Sequence, residues 1–294
     1  MTTKLKYSQA GFTLIEIAIV LLIVAILLGY TVALFPQQQR LKQYRAVESE
    51  MDRVVEAIIG YAQVNGRLPC PALPASAGIE DINAGVGCNN YGGFVPINTL
   101  GIDGRLNADS LLLDPWGNPY RYYVTDVDFD IPVTAPANGI SDFTGPGEMR
   151  AIGIGDADGD GLPDLDGRYI VCDGAGGALD SDCDADNEVF GRYDAGPPIR
   201  YEGAPFVLVS MGQNWNEAAP AGEELVNSGA TLIVAGIGVA AGPSGGDYVV
   251  KNVGAGETTF VRPLDGFRDD FDDVVRWASP SVLFSRMIQA DQLP

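Results

Sequence analysis

Apolar positions fall along the chain in three textures. From Phe12 to Phe35 the residues are aliphatic almost without interruption, with only Thr13, Glu16, Gly29, Tyr30 and Thr31 departing from that character. A helix over these 24 residues would reach roughly 36 Å at about 1.5 Å per residue, enough to cross a bilayer core. Pro36 then removes a backbone donor and predicts a kink at the membrane exit. Beyond it Leu41, Tyr44, Val47, Met51, Val54, Val55, Ile58 and Ile59 recur at three- and four-residue spacing. That stripe predicts an amphipathic helix lying on a globular head, stopped by Gly66 and Pro69.

Past residue 67 the period shortens. Strand-like runs stand between Gly, Pro, Asn and Asp clusters at 121–129, 149–154, 168–172, 205–212, 230–240, 247–252 and 258–262. Near the end, FRDDFDDVVRWASPSVLFSRMI predicts an extended or helical start and then a helix, with Ser279 as cap and Pro280 in the first position. Its core stripe is read as Val282, Leu283, Arg286 and Met287. One long helix followed by antiparallel strands is the α+β pattern, with the apolar stripe of the helix covering one sheet face.

Charge sharpens this division. The net charge is −21, and residues 68 to 294 hold 34 of the 39 acids but 11 of the 18 bases, while the first 67 residues are slightly basic. Such an acidic body repels nucleic acid and suits a solvated surface or bound cations. Lys4 and Lys6 precede the apolar run with no acid beside them, which leaves the first residues cytoplasmic and sends the remainder outward. The run is too long for a cleaved secretory signal, and no A-x-A site follows it. There is no histidine, so Ser-His-Asp and Cys-His catalysis, imidazole bases and His-ligated zinc are excluded. Glu16 is the anomaly: a carboxylate at membrane depth costs free energy unless it is paired, and so marks a functional position.

Gly11-Phe12-Thr13-Leu14-Ile15-Glu16, set between a short basic leader and an apolar helix, resembles the processing motif of type IV pilins and type II secretion pseudopilins. The resemblance implies that a membrane-embedded prepilin peptidase cuts after Gly11 and N-methylates Phe12. It also implies that Glu16, fifth in the mature chain, meets the amino-terminal charge of a neighbouring subunit. Misplacing a subunit by one helical turn would leave two buried charges unpaired, so such a contact carries register information. The organisation expected on this basis is a leader at 1–11, a transmembrane half-helix at 12–35, an amphipathic periplasmic half-helix at 36–66 and a globular head at 67–294. The fold is then a long bent N-terminal helix packed on an antiparallel sheet with extra loops. The D-P-W-G-N-P-Y run at 114–120 and FVLVSMG at 206–212 are similar to segments of major pseudopilins. In those proteins an acidic loop after the S-x-G strand binds calcium. Gln213, Asn214, Trp215 and Asn216 stand there instead, so that site is not carried over.

The four cysteines, Cys70, Cys88, Cys172 and Cys183, form no C-x-x-C pair, and an even count in an exported chain predicts two disulfides. Three connectivities are possible. Cys70–Cys88 and Cys172–Cys183 close the shortest loops, each contributing about 3 kcal/mol in the loop-entropy account.

The stretch Asp156-Ala-Asp158-Gly-Asp160-Gly-Leu162-Pro-Asp164-Leu-Asp166 places carboxylates at positions one, three, five, nine and eleven of a loop with glycine at six. Calcium takes six to eight oxygens from such a turn, with the Leu162 carbonyl in the seventh-position role. The run resembles the calcium loops of EF-hands and thrombospondin type 3 repeats, except that Gly167 stands where an EF-hand has its bidentate glutamate. Between Asp156 and Glu188 there are eleven acids and one base, Arg168, a crowding that a cation would relieve.

The expectation is therefore a structural, non-enzymatic subunit: a minor pilin or pseudopilin with a calcium-stabilised head. It starts as a single-pass protein of the bacterial inner membrane and ends in a periplasmic or cell-surface filament of pilin or pseudopilin subunits. The alternative is a filament-tip adhesin or substrate-binding module on the same anchor.

Overall fold

A computed structural model describes residues 13–83, 85–128, 139–153, 167–174, 188–190, 193–194, 200–201, 203–213, 227, 232–234, 249–251, 259–263 and 272–293. The chain forms two compact units, Met1–Ala46 and Val47–Pro294. One helix, α1 (Leu14–Asn65), contributes to both and runs through Pro36 without interruption. In the first unit every described aliphatic side chain from Leu14 to Leu28 is exposed. A helix that is apolar all round is one whose surroundings are supplied by lipid or by other protein.

In the second unit α1 buries Val47, Met51, Val54, Ile58, Ile59 and Ala62. Gly66 ends the helix in the left-handed region at φ +69°, its N–H donating to the Ala62 carbonyl at 2.8 Å. Glycine adopts this conformation without a Cβ penalty, which is why the chain can turn there.

The strands, in chain order, are β1 (Ile82–Asn83), β2 (Gly87–Cys88), β3 (Gly92–Phe94), β4 (Arg121–Val124), β5 (Ile170–Gly174), β6 (Glu188–Phe190), β7 (Tyr193–Asp194), β8 (Arg200–Tyr201), β9 (Phe206–Ser210), β10 (Leu232–Val234), β11 (Val249–Lys251), β12 (Thr259–Pro263) and β13 (Val274–Trp277). The principal sheet has the order β13-β9-β4-β3 and is antiparallel throughout. Its register sets Tyr122 opposite Leu208 and Tyr123 opposite Val207, so alternate residues serve two faces.

One face meets α1. Arg276 of β13 donates to Glu48 at 2.8 Å and to Asp52 at 3.4 Å, and the Tyr122 hydroxyl donates to the Pro69 carbonyl just past the helix at 3.0 Å. The opposite face carries Phe94, Tyr123, Val207, Val209 and Val275 into a core shared with Tyr169, Val171 and Phe260. Phe260 lies 5.0 Å from Tyr123 and 5.5 Å from Tyr169 between ring centroids, the latter pair edge to face. Tyr169, Val171 and Phe260 belong to or adjoin a second sheet, β12-β5-β6, in which β12 and β5 run parallel. The α+β head therefore has a helix on one side of its main sheet and further strands on the other, so both faces of that sheet are covered.

Two sequence expectations are corrected. The run at 149–154 was expected to be extended, but Glu148–Ile152 is a short helix that buries Met149. Glu, Met, Arg and Ala are strong helix formers, and among the described residues no strand pairs with this run. In the C-terminal helix (Pro280–Gln289) Ser279 caps as expected, accepting from the Val282 N–H at 3.4 Å. Its buried face is Leu283, Phe284 and Met287, whereas Val282 is exposed and Arg286 reaches out to Glu56 of α1 at 3.6 Å.

Candidate functional site

The start of α1 brings together two residues of the G-F-T-L-I-E run. The Thr13 hydroxyl accepts from the Glu16 N–H at 3.3 Å, and the Glu16 carboxylate accepts from the Thr13 N–H at 3.5 Å. This reciprocal pair is a capping box, which satisfies two of the donors that a helix start leaves over. Its T-x-x-E spacing is visible in the sequence, and Thr13 is the partner that a search for an opposite charge overlooks. The carboxylate expected to await a neighbouring subunit thus also engages its own chain. It lies in the first helical turn, where the helix dipole favours an anion. Gly11 and Phe12 lie outside the described residues.

The other end of α1 is fixed by a charged joint. Arg67 donates to both Glu80 oxygens at 2.9 and 2.8 Å and to the Tyr61 hydroxyl at 2.6 Å. Tyr61 donates to Glu80 at 2.8 Å, and the Cys70 N–H donates to it at 3.0 Å. The guanidinium also sits 5.3 Å from the Tyr61 ring centroid. Burial alone would raise the Glu80 carboxyl, but the bonds from Arg67, Cys70 and Tyr61 outweigh it and hold the group below its ordinary value. The Tyr61 hydroxyl is pushed up by burial first and then by the Glu80 charge. Glu80 belongs to the loop closed by the Cys70–Cys88 disulfide, which bridges Cα atoms 5.3 Å apart. Cys183 and the side chain of Cys172 lie outside the described residues.

A third cluster explains the D-P-W-G-N-P run. The buried Asp114 accepts at one oxygen from the N–H groups of Trp116, Gly117 and Asn118, at 3.0, 2.9 and 2.9 Å. At the other it accepts from the Ser210 hydroxyl at 2.8 Å. Asn118 in turn donates to the Gly212 carbonyl. The turn therefore ties the approach to β4 to the end of β9 through Asp114 and Asn118, while Trp116 is only half-buried. Burial pushes the Asp114 carboxyl up to about 6, against the lowering effect of these bonds.

The acidic-loop positions Asp156, Asp158, Asp160, Leu162, Asp164 and Asp166 lie outside the described residues. Among the described residues, no group of three or more His, Cys, Asp or Glu side chains is placed to hold a metal ion. Among them, too, no helix is long and apolar enough to cross a membrane. The described side chains of the apolar run end at Leu28, short of the ~20 residues that a span requires.

Residues 6–32 match the family model described as the prokaryotic N-terminal methylation motif. No curated protein and no solved structure matches the chain.

Proposed function

We propose that this chain, which carries the N-terminal signature of type IV pilins and pseudopilins, is a minor pilin or pseudopilin of a type IV pilus-like or type II secretion filament. Prepilin peptidase cuts it after Gly11, and the mature chain assembles with other subunits through α1. The match over residues 6–32 carries this reading. The exposed aliphatic surface from Leu14 to Leu28 supports it, because that surface requires first lipid and then neighbouring helices. Cutting between Gly11 and Phe12 leaves the Thr13 N–H an ordinary amide. The capping box therefore survives processing, and the new amino terminus, on Phe12, lies one residue before the Thr13 N–H that donates to the Glu16 carboxylate. The subunit passes from the inner membrane to a periplasmic or cell-surface filament.

Calcium at the 156–166 loop belongs to the same proposal and rests on the oxygen spacing there. Calorimetry in millimolar calcium is expected to give a higher melting temperature than calorimetry in chelator, by mass action; equal transitions would refute the site.

Co-expression with prepilin peptidase, followed by intact-mass measurement and immunogold labelling of sheared filaments, tests the whole reading. Loss of residues 1–11, one added methyl and labelling along the shaft are the expected results. An uncut chain would refute the reading, and gold confined to filament ends would move it to the tip-adhesin alternative.

A further inference from the structure

The described head pairs its buried charges with care, with one exception. Arg67 and Glu80 bond each other, and Arg168 bonds Asp126. Asp114, Asp272 and Asp273 each accept a hydrogen bond, from Ser210, Gln213 and Asn227 respectively. Arg121 differs. It is 6% exposed, and its Nη1 is buried without a hydrogen-bond partner. Among the described residues no carboxylate forms an ion pair with it.

Its surroundings follow from register. Arg121 stands directly across from Phe94 on β3 and from Val209 on β9. It lies two residues from Tyr123, and all three of these neighbours belong to the apolar core between the sheets. The side chain therefore rises from the face that holds Tyr169 and Phe260, not from the face where α1 supplies Glu48 and Asp52. A guanidinium cannot discharge itself as a buried lysine can, because its proton is held above any accessible pH. Burial of a charge without a counter-ion is unfavourable, and an unsatisfied buried donor requires an explanation.

We propose that Arg121 is the floor of an anion site between β3 and β9, and that the anion is a planar carboxylate. The guanidinium fork offers parallel N–H donors whose spacing matches two carboxylate oxygens, whereas spherical or tetrahedral anions use that fork less completely. The apolar residues Phe94, Val209 and Tyr123 beside it suit the hydrocarbon part of a small organic acid.

The test uses the full chain in detergent, with sodium acetate titrated against sodium sulfate at constant ionic strength. The wild-type melting temperature is expected to rise with acetate and saturate. Arg121→Met, close in volume and uncharged, is expected to melt higher than wild type without acetate and not to respond to it. Arg121→Lys keeps the charge without the fork and is expected to respond less than wild type. Equal acetate shifts in all three proteins would overturn the proposal, as would no saturable shift in wild type. Line broadening of carbon-13 acetate gives a second readout should Arg121→Met not fold: broadening by wild type but not by Arg121→Lys supports the site, and its absence with wild type overturns it.

Discussion

Glu80→Ala at the end of α1 gives the sharpest measurement of what holds the helix to the head. The change removes four bonds at once: two from Arg67, one from Tyr61 and one from the Cys70 N–H. The side chains of Arg67 and Glu80 are 12% and 10% exposed, so solvent screens the pair little and the surface value of under about 1 kcal/mol does not apply. Breaking a buried pair and leaving its partner charged costs about 3–5 kcal/mol. For a head of this size that corresponds to a fall in Tm of roughly 6–20 °C.

The double variant Arg67→Met/Glu80→Met should recover most of the loss, because removing both charges also removes their desolvation cost. The sign with pH follows from the lowered Glu80 carboxyl. Its stabilisation is complete above the ordinary glutamate value of 4.5 and fades as pH falls through the lower folded value. The gap between wild type and Glu80→Ala should therefore narrow in acid. Urea unfolding of the full chain in detergent, followed by tyrosine fluorescence, measures all three effects. A Glu80→Ala loss below about 1 kcal/mol, or a double variant no better than the single one, would refute the account of the joint.

Three further outcomes are expected. Glu16→Val should still insert and be cut by prepilin peptidase but should enter filaments poorly; normal incorporation, read by blotting sheared filaments, would remove the assembly role from Glu16. Asp114→Asn should flatten one part of the stability–pH curve. The wild-type carboxyl, raised to about 6 in the fold, contributes stability that is complete below its unfolded value and is lost as pH rises through 6; a carbon-13 titration with a midpoint near 4 would contradict this. Replacing Cys70 and Cys88 together by serine opens a loop of sequence separation 18 and should cost about 3 kcal/mol, with Glu80 losing part of its hold on Arg67; denaturation midpoints with and without reductant check both effects.

Local rules made much of this protein legible in its sequence. Period and length marked α1, and the Ser279-Pro280 cap and the strands at β4, β9 and β12 stood where alternation placed them, because a helix cap or a pleat is fixed by neighbours within a few residues. The Thr13–Glu16 box was equally local, and only the search for an opposite charge hid it. What the tertiary structure alone decided is which distant groups meet. Nothing in the chain order says that Arg67 closes on Glu80, that Asp114 reaches Ser210 across 96 positions, or that Arg276 and Arg286 face the acids of α1. Nor does composition say that the main sheet is covered on both faces, which is what turns Arg121 from an ordinary strand residue into a buried cation. Such contacts depend on sheet order and register, and those are selected by the burial of whole faces rather than by any single stretch of sequence.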